Sequence, residues 1–405
     1  LWYSQKVSGS QSNRVEYQGK PLSSGTECWW QVRVWDRKGI VSDWSEPACW
    51  KMGILDPSEW KAKWIGAQWQ GENPLPKPSN PGVKLPEQLP PPAPLLRKEF
   101  NITKKVTRAV AFVTGLGYFE FYLNGQKVGD DVLVPNQTNY GKRSSLPKEN
   151  IPLEDNFREY KVLYLSYDVS DQLVNGSNAL GAILGNGFYN PAKYWTAGYG
   201  TPRFILQLHI SYDDGSEEII VSDESWKASR SPILIDMVYY GEHYDARLEQ
   251  PDWCKPGFND SRWEKVSVKR APEGKLMAHM AYPDRVMENL SPVKTDKLGE
   301  GHYKVDFGQE ISGWVHLKKM KGEAGRKIEI KYLHQTPSGE NSYIMNGSGD
   351  ESYHARFNWF VFREIEVTGW PGELIADQIT AEAVYTYAAT TGRFECSNKM
   401  FEDIN

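Results

Sequence analysis

Gly115-Leu116-Gly117-Tyr118-Phe119-Glu120-Phe121-Tyr122-Leu123-Asn124-Gly125-Gln126-Lys127-Val128-Gly129-Asp130 reads as an aromatic strand running into a two-residue turn. Asn-Gly is favoured at such a turn because its central residues need positive φ. The same rhythm extends outward on both sides. Ala109-Val110-Ala111-Phe112-Val113 precedes the run, and Phe204-Ile205-Leu206-Gln207-Leu208-His209-Ile210 and Ile219-Ile220-Val221 follow it. Turn residues punctuate them at Asn175-Gly176 and Asp213-Asp214-Gly215. Regular short strands with such turns predict an all-β sandwich, here a jelly roll of about 160 residues.

A second β-unit is predicted from Ala271 to Tyr387, on the alternating strands Ile328-Glu329-Ile330-Lys331-Tyr332 and Arg363-Glu364-Ile365-Glu366-Val367. Arg356-Phe357-Asn358-Trp359-Phe360-Val361-Phe362-Arg363 carries ordinary core patterning. Helical periodicity is confined to the end, where Ser397 or Asn398 is placed to cap a helix with Phe401 and Ile404 on one face.

Before the jelly roll, Glu27-Cys28-Trp29-Trp30-Gln31-Val32-Arg33-Val34-Trp35-Asp36, the Lys38-Gly39 turn and Ser42-Asp43-Trp44-Ser45 form a hairpin pattern. It resembles the last two strands of a fibronectin type III domain. Leu1-Trp2-Tyr3-Ser4-Gln5-Lys6-Val7 reads as the middle of a β-domain, so the natural N-terminus is expected upstream. A Pro-rich tract from 73 to 94 cannot donate to a sheet ladder and is expected to be a surface excursion.

The 405 residues exceed what one core serves, and about two to four domains are expected. Lys plus Arg number 47 against 52 Asp plus Glu without blocks of either sign, which argues against nucleic-acid and polybasic membrane partners and for a neutral one. Aromatics reach 13%, enough for some to serve as sugar-stacking platforms beside those in cores. No apolar run approaches the roughly 18 residues of a membrane span. Cys28, Cys49, Cys254 and Cys396 lack zinc spacing. Cys28 and Cys49 fall in neighbouring strands, which leaves open either a disulfide or two buried thiols. The compartment stays open, with a periplasmic or extracellular setting favoured.

Tyr239-Tyr240-Gly241-Glu242-His243-Tyr244-Asp245-Ala246-Arg247-Leu248-Glu249, with Val305-Asp306-Phe307-Gly308-Gln309 and Ser312-Gly313-Trp314-Val315, resembles a signature of bacterial α-L-rhamnosidases. The segment 115–130 resembles the opening of that family's N-terminal jelly roll, and the 240–249 run falls where the jelly roll has its later strands. The resemblance implies a partial fibronectin type III-like domain over 1–55, a connecting strand and Pro-rich loop over 56–100, the jelly roll over 101–270, a second β-sandwich over 271–390, and the beginning of an α/α barrel over 391–405. It implies an inverting hydrolase acting on terminal α-L-rhamnose, with no cofactor required for catalysis and both catalytic carboxylates in the barrel. No catalytic residue is therefore expected in this stretch. Glu242, Asp245 and Asp306 are tempting substitutes, but Asp245 and Arg247 share a strand face and are expected to form a structural ion pair.

Asn186-Gly187-Phe188-Tyr189-Asn190-Pro191-Ala192-Lys193-Tyr194-Trp195-Thr196-Ala197-Gly198-Tyr199-Gly200 is a Gly/Pro loop whose aromatics are expected to be partly exposed. Trp195 or Tyr194 is the expected platform for a sugar ring, with Asn139 or Asn190 near its hydroxyls. The partners expected are an L-rhamnose-containing oligosaccharide or polysaccharide and the parent's catalytic barrel. The resemblance also raises calcium at the jelly roll, with Asn139, Asn186 and Asn190 supplying oxygens. Thr138 before Asn139 departs from the Asp-Asn pair such a site needs. Two other readings stand beside this one: a loop packed on a neighbouring domain or the barrel mouth, and β-domains that are purely structural.

Overall fold

The computed structural model describes residues 2–9, 15–74, 90–141, 160–191, 198–238, 240–334, 339–388 and 392–404. Two compact units emerge, Leu1–Lys61 and Ala62–Asn405. Most of the expected Pro-rich excursion lies outside the described residues.

In the first unit, strands Glu27–Trp30 and Ala48–Lys51 pair antiparallel, with Cys28 opposite Trp50 and Trp29 opposite Cys49. The expected hairpin is present as a bridge between Trp35 and Val41 across a turn at Gly39. The Asp36 carboxylate accepts the backbone N–H of Lys38 and of Ile40, each at 2.8 Å, and so holds that turn. The Arg33 guanidinium is sandwiched at 5.1 Å from the Trp35 ring and 4.6 Å from the Trp44 ring. Cys28 and Cys49 are free thiols on neighbouring strands, and Cys49 is exposed. Of the two readings the sequence left open, the disulfide does not form, and the buried-thiol reading holds for Cys28 alone.

The second unit opens with two sheets packed face to face. One runs in the order Ser267–Val268, Ile65–Gly66, Arg203–Tyr212, Val106–Leu116, Lys161–Asp168 and Lys275–Ala278, with Glu217–Val221 also paired to Arg203–Tyr212. The other runs Glu264–Lys265, Lys227–Arg230, Pro94–Ile102, Gly176–Gly185, Tyr118–Leu123 and Gln126–Lys127. The Asn-Gly turn forms as expected, with φ of +52° at Asn124 and +84° at Gly125. Both values lie where only a primed turn closes a two-residue hairpin with the right twist.

Strand Tyr118–Leu123 shows how period two is used here. Phe119, Phe121 and Leu123 enter the core between the two sheets, beside Phe204 and Trp226. Tyr118 and Tyr122 point the other way, into a second apolar layer that holds Trp314, Phe357 and Val384. Both faces of the strand are therefore covered, and Glu120 lies on the face turned towards the following domain.

That domain is built on one sheet in the order Ile233–Met237, Gly241–Asp245, Glu340–Ile344, Lys327–Tyr332, Phe360–Thr368, His302–Met320, Ile379–Thr386 and Asp284–Leu290. Lys294–Gly299 and Glu351–His354 also pair with the long strand His302–Met320. Val305, Val315, Ile330, Tyr332, Phe362 and Ile365 fill its core.

Strand pairing crosses the expected division at residue 270 in both directions. Lys275–Ala278 pairs in parallel with Lys161–Asp168 of the jelly roll. Conversely, the 240–249 run does not supply late jelly-roll strands. Gly241–Asp245 pairs with Ile233–Met237 and, in parallel, with Glu340–Ile344 of the second sheet. The local reasons are visible. A Cβ on Gly241, at φ +117°, would lie 1.6 Å from the Glu340 carbonyl oxygen, so only glycine lets the two backbones approach. Tyr244 then stacks on Tyr343 at 5.7 Å and packs on Tyr353 at 5.5 Å.

The expected terminal helix is a short one, Lys399–Ile404. Asn398 caps it, its side-chain oxygen accepting the Met400 N–H at 3.1 Å.

Candidate functional site

The strand Gly176–Gly185 leads directly into the loop singled out by its aromatics. Asn186 is buried at the strand's end, where its backbone N–H donates to the Asp236 carboxylate at 2.6 Å. Its side-chain amide donates to the same carboxylate at 2.7 Å and to the Asp236 carbonyl at 3.1 Å. The side-chain oxygen of Asn186 accepts the Asn190 amide at 2.8 Å. Burial pushes the Asp236 carboxyl up to about 6, against the opposing pull of the Asn186 donors. The start of the loop is thus pinned by a carboxylate that belongs to the second sheet.

Behind that anchor lies a cluster of three tyrosines. Tyr140 meets Tyr189 at 5.3 Å and Tyr199 at 5.2 Å, both edge-on, while Tyr189 and Tyr199 stack at 5.7 Å. The Arg203 guanidinium sits 5.3 Å over the Tyr189 ring. It is fixed there by donating to the Thr201 and Glu72 carbonyls at 3.1 and 3.3 Å. The Tyr199 hydroxyl donates to the side-chain oxygen of exposed Asn139 at 3.2 Å. A surface hydroxyl and amide side by side on an aromatic base suit a ligand with an apolar face and a rim of hydroxyls.

The sequence-predicted residues divide accordingly. Asn139 stands at the edge of the tyrosine cluster, where it accepts the Tyr199 hydroxyl. Asn190 is 2% exposed and turned inward to Asn186, so the expectation that it faces a ligand is corrected. The expectation of exposed aromatics is corrected at Tyr189 as well, also 2% exposed. A ring with flanking tyrosines and a guanidinium above it packs better inside than out. Tyr194 and Trp195 lie outside the described residues. The Asn139 side-chain oxygen accepts the Tyr199 hydroxyl, and that of Asn186 accepts the Asn190 amide. Asp236 and Tyr140 were missed by sequence reading. The signal for Asp236 was a carboxylate inside the otherwise apolar strand Ile233–Met237, which demands a buried partner.

The three tempting carboxylates all have protein partners. Asp245 and Arg247 form the expected ion pair, two parallel bonds of 2.9 and 2.8 Å. Asp306 makes the same fork with Arg363, at 2.8 Å for both bonds, and those bonds hold its carboxyl down at about 2. Glu242 is fully buried and accepts the Tyr353 hydroxyl at 3.2 Å and the Arg356 N–H at 3.0 Å.

Comparison with known proteins matches three regions. Residues 104–152 and 148–288 match the alpha-L-rhamnosidase N-terminal domain, and residues 296–385 match the bacterial alpha-L-rhamnosidase concanavalin-like domain. Residues 1–56 match the Rha78A-like N-terminal immunoglobulin domain. An alpha-L-rhamnosidase of Formosa agariphila is 35% identical over 437 residues, covering 100% of this chain and 44% of its own length. The structure of the alpha-L-rhamnosidase from Dictyoglumus thermophilum superposes with a TM-score of 0.83 at 35% identity, over 100% of this chain and 44% of that one. The Streptomyces avermitilis alpha-L-rhamnosidase complexed with L-rhamnose gives a TM-score of 0.82 at 24% identity, over 99% of this chain and 53% of that one, and shares the fold. The chain thus spans less than half the length of the F. agariphila relative. It belongs to the bacterial α-L-rhamnosidase family, within which it comprises N-terminal and middle β-domains.

Proposed function

We propose that these residues are the accessory, non-catalytic part of an enzyme that hydrolyses terminal α-L-rhamnose by inversion. The observation that carries this reading is the family match together with the state of the carboxylates. Inversion needs an acid and a base on opposite faces of a sugar ring, roughly 6.5–9.5 Å apart with room for water. Glu242, Asp245 and Asp306 are instead each committed to protein donors. In the same reading the first unit is fibronectin-like, and the helix Lys399–Ile404 belongs to the helical domain that carries the chemistry.

Exposed Asn139 and half-buried Tyr199 form a site for the L-rhamnose units of an oligosaccharide or polysaccharide, and Tyr194 or Trp195 is its expected aromatic platform. Calcium at the jelly roll belongs to the same proposal and enters as a variable of the test. A lone ring makes few contacts, so a dissociation constant of about a millimolar, about 4 kcal/mol, is expected. Titration of the 405-residue chain with L-rhamnose, with and without calcium, is followed by chemical-shift mapping. Shifts at Asn139 and Tyr199 support the site, and none there or at Tyr194 and Trp195 at saturating sugar overturns it. A second reading, loop packing against the helical domain, is favoured by the inward-turned Asn190 and Tyr189. It predicts no sugar-dependent shifts at Asn139 or Tyr199.

A further inference from the structure

The seam between the jelly roll and the second sheet opens into a cleft of about 420 Å³. That is within the roughly 300–1,000 Å³ of small-molecule sites. Its walls carry Glu120, Asp130 and Glu382 against Lys127, Arg285 and Arg356, three charges of each sign. Each has a fixed partner. Arg356 donates to Glu120 at 2.7 Å, Lys127 stands 3.6 Å from Glu120, and Arg285 lies 3.0 Å from Asp130. Glu382 accepts the Trp314 indole N–H at 2.7 Å and lies 2.6 Å from His316. The Tyr122 hydroxyl closes the Glu120 side at 2.6 Å. Val132, Val286 and Ala355 supply apolar surface between these groups.

Those features select a ligand class. A cleft whose formal charges cancel offers an anion or a cation no net attraction, and each would have to displace an existing ion pair. Pre-positioned carboxylates and guanidiniums still have lone pairs and N–H groups for weaker partners. Carboxylates accept from hydroxyls and guanidiniums donate to them. A compact ring with hydroxyls on its rim and C–H on its faces meets both the polar walls and the apolar patches. We propose that this seam cleft is a second, separate binding site for a neutral pyranose unit, with Glu120 and Glu382 accepting from its hydroxyls and Arg356 donating to them.

The site does not depend on the Asn139 loop, and its test is built to tell the two apart. The 405-residue chain is titrated with L-rhamnose and D-galactose as neutral probes, and with D-glucuronate and D-glucosamine as charged ones. The readout is the Trp314 indole N–H resonance, which reports on Glu382 and is assigned by its loss in Trp314→Phe. A neutral probe is expected to shift it with a constant of about a millimolar, and the charged probes to bind more weakly. Glu382→Gln should weaken the neutral probe about tenfold, the effect of losing a charge-assisted hydrogen bond. Val286→Trp, which fills the cleft from a half-buried edge position, should abolish the shift if Glu382→Gln fails to fold. Asn139→Ala should leave it unchanged. A silent Trp314 resonance with both neutral probes, preferential binding of a charged probe, or loss of the shift in Asn139→Ala would each overturn the proposal. L-rhamnose shifts confined to Asn139 and Tyr199 would overturn it while leaving the loop reading intact.

Discussion

Arg356 has carboxylates on two sides that the fold drives in opposite directions. Burial works against the charge on Glu120, but Arg356, Lys127 and the Tyr122 hydroxyl outweigh it and hold that carboxyl down at about 2. Burial dominates at Glu242, where the Arg356 N–H and charge offset it only in part, and the carboxyl is pushed up to about 7 from its ordinary 4.5. The signs follow by linkage. Glu242 favours folding fully below about pH 4.5 and loses that contribution as pH rises through about 7, on the order of 3 kcal/mol in all. Subtracting the melting profile of Glu242→Gln from that of the wild type should isolate a stability difference that falls between those pH values. A flat difference would refute the buried titration. Glu120→Gln leaves Arg356 without its carboxylate. Because the Arg356 side chain keeps 28% of its surface exposed, the loss in chemical denaturation should be about 2–4 kcal/mol, at or below the range for wholly buried pairs. The Asp245–Arg247 pair was legible at this scale, but not by the expected strand face: Asp245 ends a strand and caps the single helical turn Ala246–Leu248 that carries Arg247. Glu120 was not, because alternation places a residue on a face without naming what covers that face.

Among the elements, the loop entrance at Asn186 is the point where one sheet positions a feature of the other. Asp236 accepts from Asn186 through its backbone and its side chain. Asp236→Ala should cost about 1–3 kcal/mol, since it orphans a buried amide. Amide exchange at Asn186 and Asn190 should quicken well beyond exchange in the core strand Val106–Leu116, and equal changes in both places would count against a local anchor. Strand identity was readable at this scale. Phe204 to Ile210, Ile328 to Tyr332 and Arg363 to Val367 all lie inside observed strands. Strand partnership was not. The 240–249 run was placed in the jelly roll by its resemblance to the family, and its parallel neighbour, Glu340–Ile344, lies about a hundred residues away in sequence, where pairing is decided by packing rather than local pattern. The burial of Tyr189 was missed for a related reason. Gly and Pro mark a loop, but they do not reveal that Tyr140 and Arg203 arrive from elsewhere to bury Tyr189.

For the molecule as a whole, turn chemistry and period two were sufficient to read an all-β chain with a short helix at its end. The two sheets of the second unit are more interlocked than a linear series of domains suggests, since strands on each side of residue 270 pair across it. That interlocking brings the Glu120, Arg356 and Glu382 side chains around one seam, an arrangement no single segment of sequence encodes. In the function proposed above, these β-domains serve a rhamnosidase without performing its chemistry. An assay of the purified 405-residue chain on an aryl α-L-rhamnoside tests it most directly. No turnover above the uncatalysed rate is expected, whereas turnover that survives repurification and disappears in Glu242→Gln or Asp306→Asn would place the chemistry in these domains.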